Sequence, residues 1–164
     1  FEIGGRRYCH LLDPRTGWRP VDSAGRRGTD AILLALSADF AGDRVAVFIG
    51  GLGGMLNAAF EEKIEFYLPD ELDPQKIHNS ARNLEIAAWK LGNARDAAGS
   101  LLLLSNEPAQ AGQAPNLSFE REFGKMIGNL DLLAALLADK GHRTIARVAQ
   151  GVATAVFLPV PSLR

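Results

Sequence analysis

Ile77, Ala81, Leu84, Ala88 and Leu91 recur at steps of four and three. That spacing lays five apolar side chains along one face of an α-helix. A strand, with its period of two, would scatter them over both faces. Asp73 is placed to cap this helix, with Pro74 at the first helical position, where a missing N–H costs nothing. The spacing predicts a helix from Pro74 to about Ser105, with Gly92 and Gly99 weakening its end. A second stripe, Phe119, Phe123, Met126, Leu130, Leu133 and Leu137, follows Ser118, which reads as its N-cap, and Gly141 ends it. "RTIARVAQGVATAVF" (143–157) reads as a third helical segment, closed by Pro159 and Pro161. The polar stretch "NEPAQAGQAPN" (106–116) reads as a loop or linker. Residues 71–164 are therefore expected to form a helical bundle. Its stripes serve as core or, on the alternative reading, as a groove for a partner helix.

Residues 1–70 carry different signals. "FEI-GG-RRYCHLL" reads as two strands joined by Gly4-Gly5, because a two-residue hairpin turn requires positive φ. Tyr8, His10 and Leu12 would share one face of the second strand, which Asp13-Pro14 ends. Residues 13–28 read as loop. Thr29 is a candidate N-cap for a helix over 30–40, with Asp30 in its first turn. "RVAVFI" (44–49) reads as a short buried strand, "GGLGG" (50–54) as a turn, "MLNAAFEEK" (55–63) as a helix and "IEFYL" (64–68) as a further strand. The expected fold class is α+β, a short β-hairpin region followed by a mainly helical bundle. The expected division is 1–70 and 71–164, with the two parts able to share one domain.

The totals narrow the function classes. With 164 residues the chain is long enough for one domain with a real core. Apolar residues make up 47% and charged residues 23%, as in an ordinary globular protein. A net charge of −1 leaves no basic field for nucleic acid. Arg6, Arg7, Arg15, Arg19, Arg26 and Arg27 make the first 27 residues locally basic, either as a solvated face or as a phosphate contact. Cys9 is the only cysteine, so no intrachain disulfide forms. The most apolar stretches, 132–138 and 152–160, fall short of the roughly 20 residues of a membrane span. The sequence starts at Phe1 without an initiating Met, so the chain reads either as one whole domain or as a piece of something larger.

Few residues suggest chemistry by spacing. Glycines between a strand and a helix, as read at 50–54, can bring backbone N–H groups to a phosphate. The pattern is neither G-x-G-x-x-G nor a Walker sequence. His78 has no second histidine three or four residues away, so no metal pair is built there. Glu61, Glu62 and Glu65 read as a wet face or a cation contact. His10, Asp13 and Thr16 fall at intervals of three around a strand end, where loops carry function. His10 suits acid–base work near neutral pH. Asp13 and Thr16 suit orienting it, holding a cation, or bonding their own turn's backbone.

"GGRRYCHLLDPRTGWRPV" (4–21) resembles the signature of the ApbE-type flavin transferases, the FAD:protein FMN transferases. In that family a strand ends in His-x-x-Asp-Pro-x-Thr-Gly and Pro-Val follows closely. His10, Asp13, Pro14, Thr16 and Gly17 match, over about 20 residues of the 164. The resemblance implies magnesium-dependent transfer of FMN from FAD to a Ser or Thr hydroxyl of a flavoprotein acceptor. It makes His10 catalytic, puts Asp13, Thr16 and Gly17 at the cofactor, and implies a periplasmic or membrane-associated setting. The family continues into a helix whose Asp, with a Thr four residues on, is tied to magnesium. Here Asp30 is the candidate Mg²⁺ ligand, Leu34 stands at the Thr position, and Arg19 is inserted before Pro-Val. The chain thus reads as a fragment or divergent relative of such a transferase. The alternative is a non-enzymatic helical protein-interaction module in which the motif is a remnant or a coincidence.

Overall fold

In this computed structural model, acidic side chains set the starts of two of the four helices among the described residues. The structure describes residues 25–63, 65–67, 71–105, 112, 117–142, 145 and 157–159, together with the backbone of residues 2, 3, 6 and 7. The elements in chain order are β1 (Glu2–Ile3), β2 (Arg6–Arg7), α1 (Gly28–Ala35), α2 (Arg44–Ala59), α3 (Pro74–Asn93) and α4 (Ser118–Lys140). Asp43 caps α2 by accepting from the Ala46 N–H at 3.0 Å, and Asp73 caps α3 by accepting from the Gln75 N–H at 2.9 Å. Pro74 occupies the first position of α3, as the spacing predicts.

The fold is helical, and the expected α+β class is wrong. The two-rung antiparallel ladder of β1 and β2, Glu2 opposite Arg7 and Ile3 opposite Arg6, is the entire sheet among the described residues. Two rungs present no face on which a core can be built. The expected strand over 44–49 is the first part of α2, and the expected turn at 50–54 lies inside the same helix. Residues 65–67 are not a strand. Four of the six residues of 44–49 are β-branched or aromatic, which matches a buried strand locally. The Asp43 cap and packing against α1 override that preference.

The glycines of α2 make the packing possible. A Cβ on Gly51 would lie 2.8 Å from the Ile32 nitrogen and 2.9 Å from the Gly28 carbonyl oxygen, both on α1. A Cβ on Gly54 would stand 3.2 Å from the Gly28 nitrogen. The two backbones therefore meet where other residues would hold them apart. Arg44 fastens the other end of the pair. Its guanidinium donates to the carbonyl oxygens of Ala35, the last residue of α1, and of Ser37 and Ala38 in the turn that follows. It also lies 5.8 Å from the centre of the Phe40 ring. These carbonyls mark the end of α1 at Ala35, short of the expected Phe40, and its N-cap is Arg27 in place of Thr29.

Helix α3 stops at Asn93, well before Ser105. Asp96 accepts the N–H groups of Ala98 and Ser100 on one carboxylate oxygen, and Gly99 takes a left-handed conformation. Those bonds close a tight reversal that pairs Arg95 with Leu101. Helix α4 runs to Gly141 as expected; Ser118 is its first residue, and Leu117 stands at the N-cap position. Ile32, Met55, Ile77 and Leu84 are the largest fully buried apolar side chains, and one core cluster draws on all four helices. Within it α1 packs on α2 and α3 packs on α4, with a smaller α2–α3 junction. Most of the expected helix at 143–157 lies outside the described residues; Phe157 is not helical.

Candidate functional site

Helix α3 buries two faces. One carries the predicted stripe of Ile77, Ala81, Leu84 and Leu91. The other carries Asn79 and Asn83, one turn apart, followed by Ile86 and Ala87. Asn79 is 8% exposed and Asn83 is fully buried. Buried amides need partners, and these find them in the main chain of a segment outside any helix or strand, Phe157–Pro159. The Asn83 amide is bidentate. Its Nδ2 donates to the Leu158 carbonyl at 2.9 Å, and its Oδ1 accepts from the Leu158 N–H at 2.6 Å. Asn79 Nδ2 donates to the Pro159 carbonyl at 3.2 Å. Gln75, one turn earlier, donates to Asn79 Oδ1 at 2.8 Å and so fixes which end of that amide faces the segment.

The three contacts align the segment antiparallel to α3, since rising numbers in one match falling numbers in the other. Every contact goes to a main-chain atom. The site therefore reads an N–H and two carbonyls, with Phe157 packed on the core edge and Pro159 exposed. An amide left without these partners in a buried setting costs about 1–3 kcal/mol. Asn83 thus makes the face stable only when some backbone covers it.

A polar seam joins α3 to α4. Arg82 bridges Asp131 of α4 and, at 3.0 Å, Glu85 of its own helix, and His78 Nδ1 lies 3.7 Å from Asp131 Oδ1. Burial raises the Glu85 carboxyl above its ordinary range, and Asp131 adds to this while Arg82 opposes it. Arg82 Nε is buried without a hydrogen-bond partner. The seam orients α4 on α3.

Of the residues predicted for flavin chemistry, His10, Asp13, Thr16 and Gly17 lie outside the described residues. Asp30 is described. It is exposed in the first turn of α1 and lines a recess of about 430 Å³ with Arg26, Leu33, Leu34 and Ser37. One carboxylate beside a guanidinium and two leucines does not complete a magnesium shell. Among the described residues no three His, Cys, Asp or Glu side chains gather as a metal site. The glycines at 50–54 have their N–H groups within a continuous helix, so they form no phosphate loop. Glu61 pairs with Lys76 at 3.4 Å and does not converge with Glu62 and Glu65 on a described cation site.

The apolar stripe of α3 is read from the sequence, but Asn79 and Asn83 are not. A legible signal exists. Asn79 and Asn83 share a stripe with Ile86 and Ala87, and amides in line with apolar residues mark a covered polar face. No helix among the described residues is long and apolar enough to cross a membrane. Comparisons with protein-family models, curated proteins and solved structures find no match.

Proposed function

We propose that this chain is a non-enzymatic, helical protein-interaction module. The observation that carries the reading is the buried Asn79–Asn83 pair, whose contacts go to the main chain of residues 158 and 159. Such a face supplies affinity through backbone atoms and leaves selection to the side chains on either side. A displayed library of nine-residue peptides, selected on the immobilised full chain, tests it. The expected outcome is enrichment of an apolar residue ahead of one with a free N–H, lost in Asn83→Leu. Enrichment of no consensus, or the same consensus with the variant, would refute the reading.

The motif at His10, Asp13, Thr16 and Gly17 supports a second reading, a fragment or divergent relative of an FMN transferase that takes FAD with Mg²⁺ and a flavoprotein acceptor. In that reaction magnesium would offset phosphate charge, and His10 would take the proton of the attacking hydroxyl. Quenching of FAD fluorescence by the purified chain with Mg²⁺, abolished in His10→Ala, is the outcome this reading requires. Absent or unaltered quenching removes it.

A further inference from the structure

Resting on the interaction-module reading, we infer that the Asn79–Asn83 face is a binding site for an extended peptide of a partner protein, and that residues 157–159 of this chain are its competitor in cis. The partner segment has a definite chemistry. It presents an apolar side chain first, then a residue with a free N–H and carbonyl, then a third residue that contributes only its carbonyl. Phe157, Leu158 and Pro159 meet those three requirements in turn. Proline at the third position is accepted because Asn79 asks nothing of its nitrogen.

Two features point to exchange. The contacts with Asn79 and Asn83 depend on main-chain atoms alone, so any segment of that pattern reproduces them. Pro159 is exposed, so its position leaves room for a partner chain to enter and leave. A tethered segment acts at an effective concentration near the millimolar range, so a free peptide competes at a disadvantage set by the fraction of open sites.

The test uses a fluorescent peptide of sequence TAVFLPVPS, identical to residues 154–162, and the full chain. Leu158→Pro deletes the N–H that Asn83 accepts and releases the cis segment. The expected result is peptide binding to Leu158→Pro at least about tenfold tighter than to the wild type. A peptide with proline in place of its own leucine should not bind. Adding Asn83→Leu to the Leu158→Pro chain should abolish binding, with helix content checked by circular dichroism in both. Equal binding by wild type and Leu158→Pro overturns the cis competition and leaves the interaction reading standing. No binding by either, with helix content intact, overturns both and makes residues 157–159 a structural strap. Binding of the leucine and proline peptides alike also overturns the inference.

Discussion

Glu85 shows how one carboxyl can weigh against its own ion pair. It lies 3.0 Å from Arg82, yet burial raises its proton affinity beyond what Arg82 offsets, and Asp131 adds repulsion. A carboxyl whose folded pKa is raised binds protons more readily folded than unfolded. Its contribution is full below the unfolded value and is lost as pH rises through the folded one. As pH rises above the ordinary glutamate range, the wild type therefore loses stability relative to Glu85→Gln. Thermal scans should show the variant level with wild type at the acid end and higher by about a degree at the other, a small effect because the side chain is 46% exposed. A gap that shrinks or reverses with rising pH contradicts the assignment. Residue-scale features of this kind were not legible in sequence. Arg82 and Asp131 are 49 positions apart, and nothing local announces that they meet.

Among elements, the α1–α2 pair rests on two devices that respond to substitution in opposite ways. Gly51→Ala improves helix propensity by about 1 kcal/mol but drives a methyl into the backbone of α1, so a net loss of about 1–3 kcal/mol is expected. Gly128→Ala on α4 meets nothing within 4 Å and should gain up to about 1 kcal/mol by the same propensity. Urea midpoints of the two variants should move in opposite directions. Arg44→Met should cost about 1.5–3 kcal/mol by removing the charge-assisted hydrogen bonds to the Ala35, Ser37 and Ala38 carbonyls. Arg44→Lys should recover less than half of that, because one ammonium does not span three acceptors. Calorimetry of the pair checks both. Helices α3 and α4 were readable because long apolar periods leave one interpretation. Helix α2 was misread because Val45, Val47 and Ile49 alternate like a strand, and the close approach that Gly51 and Gly54 permit depends on α1, outside any local window.

Across the whole molecule, Ile77 and Leu84 stand at the centre of a core to which every helix contributes. Leu84→Ala should lower stability by about 2–5 kcal/mol. Because the cluster is shared, circular dichroism and tryptophan fluorescence should still report one coincident transition. Two separated transitions would show that the α1–α2 and α3–α4 pairs unfold independently. The helical character of the second half was legible in its periodicity, whereas the α+β class failed because it gave residues 44–54 a strand. The Asn79–Asn83 face was half legible: the amides stand in line with Ile86 and Ala87, but their partner is 75 residues beyond Asn83.

That separation bears on the order in which the molecule is made. Helix α3 emerges from a ribosome well before Leu158, and until then the Asn83 amide has no backbone to bond. At synthesis rates of about 5–20 residues per second, the interval lasts several seconds. During it the second face of α3 stands open to any extended strand within reach, whether a chaperone's client groove or a neighbouring nascent chain. Leu158 and Pro159 close that interval, so the contacts that satisfy Asn83 and Asn79 also end the exposure of this face to wrong partners.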